Sequence, residues 1–158
     1  RLQLVSMNEN AGRGQSDYYR DRIIQGINSG NTIWLLIANT VSDASHTYNL
    51  SDPKYGGGIC LQLAGNRNSA AAVNGKGSYM NINGLNVYIS PAEKLIHEIV
   101  GHAIPYSVSS DNGNAVNNEN KVRRDNNLVP RPKEPHSEDK RNPYIDPESP
   151  SYMQSPST

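Results

Sequence analysis

The stretch Ser90-Pro-Ala-Glu-Lys-Leu-Ile-His-Glu-Ile-Val-Gly-His-Ala-Ile-Pro105 decides how this chain is read. Ser90 suits an N-cap, Pro91 the first helical position, and Glu93 the third position of a capping box. Leu95, Ile96, Ile99 and Val100 recur at helical spacing and predict an apolar face. Pro105 is expected to end the helix. The prediction is a helix packed on a core, with His97, Glu98 and His102 near its middle and end.

The two histidines stand five residues apart. At about 100° per residue, a fourth residue returns to roughly 40° from the first, whereas a fifth lies about 140° away. A regular α-helix would turn the rings apart. A π-bulge, with bonds from residue i to i+5, would bring them back to one face, and such bulges gather at functional sites. Gly101, beside His102, suits a local distortion of this kind. So corrected, the stretch carries the residue types of the zinc helix H-E-x-x-H with one residue inserted.

A second helix is expected from Asn114, its cap, through Arg124. Glu119 lies in its middle. A carboxylate on a second helix is what two histidines need to hold zinc with a fourth position open, so Glu119 is the expected third ligand and His136 the alternative. Asn120 and Arg123 would orient it or a substrate. In this reading the metal acidifies a water, Glu98 takes its proton, and Arg123 with Tyr106 or Tyr144 steadies the developing oxyanion. The rival reading is plainer: a histidine pair beside a surface glutamate, and Glu119 paired with Arg123 four residues on.

The run His97-Glu-Ile-Val-Gly-His102 resembles the H-E-x-x-G-H signature of the dipeptidyl peptidase III family, zinc peptidases of the gluzincin type. The likeness covers six residues and one further helix. It implies that His97 and His102 bind Zn2+, that Glu98 is the general base, and that a glutamate on another helix completes the site. The chain is far too short to be that whole enzyme. Its size and order of segments are similar to small metallopeptidase domains of bacterial polymorphic toxins and effectors. That likeness implies a peptide or protein substrate, a cognate immunity protein, and secretion or delivery out of a bacterial cell. Together with the short strands and the proline-rich end of this sequence, it implies an α+β, small zincin-like domain: a short antiparallel sheet packed beside a metal-binding helix, with a Pro-rich C-terminal extension. An edge strand of that sheet would hold a peptide by strand addition.

The remainder of the chain bounds these expectations. Its 158 residues allow one domain with a tail, divided as 1–129 and 130–158. Hydrophobic residues make up 35%, Phe is absent and mean hydropathy is −0.70, so the core must be lean. Zero net charge argues against a general nucleic-acid or membrane-surface binder, and no run is apolar enough to span a bilayer. Cys60 is the single cysteine, is read as a small buried hydrophobe, and cannot form an internal disulfide. Beginning at Arg1 with no visible signal peptide, the chain reads as a processed or excised piece of something longer.

Residues 1–14 read as a strand-like lead-in and a loop. Ser16 would cap a helix running to about Asn28, stopped by Gly30. Ile33 to Val41 fits a buried strand or a helix capped by Asn31 or Thr32, and the helix is expected, since its apolar positions run on through Ala38 and Val41. Thr47–Leu50, Ile59–Leu63, Ser78–Ile82 and Asn86–Ile89 read as short strands separated by glycine and asparagine turns. Asn83-Gly84 predicts a tight hairpin. His46 belongs on a surface loop. Tyr106 to Gly113 reads as a polar loop. From Pro130 onward lie seven of the ten prolines, so the segment is expected to be extended and to wrap the domain or trail away. Two other classes fit the sequence: another zinc amide hydrolase, such as a cell-wall amidase, or a non-catalytic secreted binding module with a structural metal.

Overall fold

The computed structural model describes residues 16–63, 65–108 and 115–132. Among them lie four α-helices, a π-helical segment, a 3-10 turn and seven strands of an α+β fold, which agrees with the expected class. Helix α1 spans Asp17–Asn28, and its N-cap Ser16 accepts a hydrogen bond from the Tyr19 amide, as the sequence predicts. The Ser16 hydroxyl also donates to Asp125 at 2.5 Å. Gly30, with φ +74°, turns the chain out of the helix.

Strand β1 (Ile33–Ile37) replaces the helix expected over Ile33 to Val41. Its five residues are β-branched, aromatic or leucine, and they find a parallel partner in strand β5 (Ser69–Val73). The chain then forms a small hairpin of β2 (Thr40–Ser42) and β3 (Thr47–Asn49), with His46 exposed at its turn. A short 3-10 turn at Pro53–Tyr55 leads into β4 (Gly58–Gln62), which pairs antiparallel with β5. The resulting order is β1-β5-β4, a mixed sheet rather than the purely antiparallel one expected. Some thirty residues separate β1 from β5, enough for the crossover that parallel pairing demands.

Strand β5 reads Ser-Ala-Ala-Ala-Val and lies outside the four segments expected as strands. It is nonetheless the centre of the sheet, with Ala71, Ala72 and Val73 buried. Small side chains suit a strand covered closely on both faces. Ala71 faces a cluster of Ile99, Val100, Ala103, Ile104 and Val122. Ala72 faces Val41 and Leu50 on the opposite side. Each fully buried branched aliphatic side chain in such a cluster contributes about 1.5–3 kcal/mol. Cys60 is half-buried at the rim of the first cluster.

Strands β6 (Ser78–Ile82) and β7 (Leu85–Ile89) form the hairpin predicted from Asn83-Gly84. Asn83 and Gly84 take φ values of 51° and 83°, the two left-handed positions of a type I′ turn. The hairpin delivers the chain to Ser90. From there α2 (Pro91–Ile96), a π-helical segment (His97–Ala103) and α3 (Ile104–Val108) follow without a break. Pro105 therefore does not end the helix, and Tyr106 to Val108 are helical rather than loop. The proline lies in the first turn of α3, where loss of its N–H is tolerated best, and the Ile104 amide already bonds back to Ile99 through the π turn. Helix α4 (Ala115–Asp125) then packs across the π segment. Its expected cap Asn114 lies outside the described residues, as do residues 1–14, His136, Tyr144 and the tail beyond Pro132. Among the described residues, no helix is long and apolar enough to cross a membrane.

Candidate functional site

The site is built from the helix start inward. The Ser90 hydroxyl accepts from the Glu93 amide at 3.2 Å, and the Ser90 amide donates to Glu93 Oε2 at 2.8 Å. That reciprocal capping box is the one the sequence predicts. Glu93 does more than cap. Its other oxygen, Oε1, accepts from Arg123 Nη1 at 2.9 Å, tying the start of α2 to α4.

Two turns later the backbone widens. Residues His97–Ala103 form π-type bonds, so the surplus residue between the histidines is accommodated as the spacing requires. The His97 and His102 rings meet edge to face with centroids 5.0 Å apart. Two imidazoles held tetrahedrally on one zinc, at about 2.0–2.1 Å from each nitrogen, would have centroids roughly 5 Å apart. Edge-on ring packing also spans this range; the winding is therefore what distinguishes this pair from two histidines on a regular helix. Gly101 has a role beyond the one expected. A Cβ there would stand 3.0 Å from Ala115 Cβ and 3.2 Å from Ala115 Cα, so glycine lets α4 approach the π turn.

That approach brings in Glu119, which is 1% exposed. Its Oε2 lies 2.8 Å from His97 Nδ1 and accepts from Arg131 Nη1 at 2.9 Å. Its Oε1 accepts from Arg123 Nη1 at 3.3 Å. Burial pushes the Glu119 carboxyl upward, but the His97 hydrogen bond and the charges of His97, Arg131 and Arg123 outweigh it and hold it below its ordinary value. Facing an ionised carboxylate, His97 Nδ1 carries the proton of this contact. Arg123 is 2% exposed, and its Nε donates to the Val129 carbonyl at 2.7 Å, so its guanidinium is committed to holding α4, Glu93 and the segment after α4 together.

Glu98 is buried within the π segment and reaches the sheet. A Cβ on Gly58 would fall 2.6 Å from Glu98 Oε1. The last two residues of the Gly56-Gly57-Gly58 run thus make room for side chains of the helix, because a Cβ on Gly57 would meet Lys94 Nζ at 2.6 Å. Lys94 is itself largely buried, and burial pushes its amine below the ordinary value. Among the described strands β4 is an outer strand of the sheet, and Glu98 stands at its first residue.

Tyr106 goes elsewhere. Its hydroxyl lies 3.0 Å from the Leu63 carbonyl and 2.8 Å from the Asn66 carbonyl, contacts that fasten α3 to the β4–β5 connection. It would have to leave both before steadying an oxyanion. The structure thus brings His97, His102, Glu98, Glu119 and Arg123 around one turn and holds Tyr106 apart from them. Arg131, Glu93 and Lys94 were not foreseen as members. Among the described residues, no three of His, Cys, Asp and Glu stand in a ready-made metal cage. The two imidazoles nevertheless fit zinc in kind and in shared face, while Glu119 is engaged by His97 and two arginines.

No known protein family matches the chain, and neither curated proteins nor solved structures supply a match.

Proposed function

We propose that this chain is a zinc-dependent peptidase domain of zincin-like design, of the kind delivered as a toxin or effector. The observation that carries the reading is the π turn at His97–Ala103, which puts two histidines five residues apart onto one face. Such winding is rare and is frequently found at functional sites.

In this reading His97, His102 and Glu119 hold the metal, which when bound supplies a Lewis acid and acidifies a water. Glu98 accepts the proton of that water and returns it to the leaving amine. The position of Glu98 against Gly58 matters here. A peptide lying along the open side of β4 as an added strand would bring a backbone carbonyl toward that carboxylate. Arg123 acts as a positioning residue, since it fixes Glu93 and Glu119 rather than facing open space. A target protein and an immunity protein are the partners this reading calls for.

The test is hydrolysis of an unstructured protein such as casein by the zinc-loaded chain. Glu98→Gln should retain zinc and lose activity by about 10²–10⁴-fold. His102→Ala should lose both metal and activity. Full activity of Glu98→Gln would exclude this assignment.

One observation favours a second reading, a non-catalytic module. Glu93 and Glu119 are paired with Arg123 and Arg131, so both carboxylates have cationic partners of the chain's own. Unchanged melting on chelation together with no hydrolysis of peptides or cell-wall fragments would select it.

A further inference from the structure

The segment after α4 returns to the site. The Arg131 amide donates to Asn120 Oδ1 at 2.7 Å, and Asn120 Nδ2 donates to the Arg131 carbonyl at 2.9 Å. This two-point clamp fixes the backbone of one residue with one side chain. Two residues earlier, Arg123 Nε holds the Val129 carbonyl. Pro130 and Pro132 flank Arg131 and restrict the chain further, since each ring fixes φ. Residues 129–132 are thus a short strap, held at both Val129 and Arg131.

The strap delivers one functional group. Arg131 Nη1 lies 2.9 Å from Glu119 Oε2 and 3.4 Å from His97 Nδ1, and those two atoms are themselves 2.8 Å apart. A positive donor therefore sits against the same carboxylate oxygen that a cation would claim. Around it Glu93 and Glu119 are paired with Arg123 and Arg131. Adding a divalent ion beside Glu119 without removing a cation would place like charges together where solvent screens them poorly. Arg123 is fastened by Glu93, Glu119 and the Val129 carbonyl, and it contacts Oε1 of Glu119; Arg131 is the guanidinium on Oε2, beside His97.

We infer that Arg131 is a latch on the metal position: its guanidinium stands in for the cation at Glu119, and metal enters by displacing it. This rests on the reading of Glu119 as a zinc ligand. The latch keeps the empty site folded and its carboxylate paired, and it sets the zinc concentration at which the site loads. Asn120 governs how readily the strap lifts.

The test is a zinc competition titration of the full chain against a chromophoric chelator, using wild type, Arg131→Met and Asn120→Ala. Circular dichroism in excess chelator establishes that each variant is folded. Arg131→Met keeps the length and apolar stem of the side chain and removes its charge, so zinc should bind at least tenfold more tightly. Asn120→Ala leaves the guanidinium in place and frees the backbone, so its affinity should rise by a smaller factor, and it carries the test if Arg131→Met does not fold. Equal or weaker zinc binding by the folded variants, with wild type still binding, overturns the latch and leaves the zinc reading intact. If neither wild type nor variants bind zinc, both fall.

Discussion

His97 Nδ1 and Glu119 Oε2 stand 2.8 Å apart, and this one contact joins the π turn to α4 across 22 residues of sequence. Glu119 also receives Arg123 and Arg131, so a single carboxylate is in contact with both guanidinium groups. Removing it takes a carboxylate contact from each of two buried guanidinium groups. Glu119→Ala is expected to cost about 3–5 kcal/mol of stability, as breaking a buried ion pair does. In a thermal melt under chelating conditions that would appear as a fall of about 10 °C or more. A fall of only a degree or two would mean that the network contributes little to the fold.

Gly101 sets how closely α4 approaches. With Ala115 Cβ only 3.0 Å from a Cβ placed there, Gly101→Ala must push α4 or the π turn outward by a few tenths of an ångström. Overpacking of this kind costs about 1–3 kcal/mol. The midpoint of denaturant unfolding should shift accordingly, and zinc affinity should fall as Glu119 moves with its helix. An unchanged or raised midpoint would contradict the close approach.

Gly58 makes the complementary test on the sheet side. A Cβ there falls 2.6 Å from Glu98 Oε1, the mobile end of a side chain, so the fold can yield while the carboxylate cannot stay where it is. Gly58→Ala should melt near wild type and bind zinc normally, yet cleave casein at least about tenfold more slowly, roughly 1.4 kcal/mol in the barrier. Wild-type cleavage by a folded Gly58→Ala protein would remove the base from this position.

The β2–β3 hairpin gives a prediction in pH. Asp43 accepts from the Ser45 and His46 amides, the Ser45 hydroxyl and Tyr48, and these bonds hold its carboxyl far below the ordinary range. The folded value is depressed, so the stabilisation is present above the ordinary value of about 3.9 and is lost as pH falls through the depressed one. The Ser45 and His46 amide resonances should therefore stay in place down to pH 3. A titration step near pH 4 in those signals would contradict the assigned bonds.

How much of this was legible in the sequence depended on how local the cause is. The capping box at Ser90 and Glu93, the Ser16 cap and the Asn83-Gly84 turn each arise within four residues, and each is present. The π turn was legible for a different reason: a fixed angle per residue makes the five-residue spacing of His97 and His102 costly in any regular helix. Strand β5 was not legible, because Ser-Ala-Ala-Ala-Val has no β-forming signal and is a strand only through its two neighbours. Ile33 to Ile37 fit either period, and pairing to β5 decided it. Arg131 was invisible because its place is set by Asn120 and Glu119, 11 and 12 residues away, through bonds that no local pattern encodes.

The central claim is that the π turn exists to converge two histidines, with Glu119, on one ion. Crystals soaked in zinc and measured across the zinc absorption edge test it most directly. The account predicts one anomalous peak about 2.0–2.2 Å from a nitrogen of His97, a nitrogen of His102 and an oxygen of Glu119, with Arg131 displaced. No peak there, or rings unchanged with Arg131 still seated on Glu119 while zinc lies elsewhere, would contradict it.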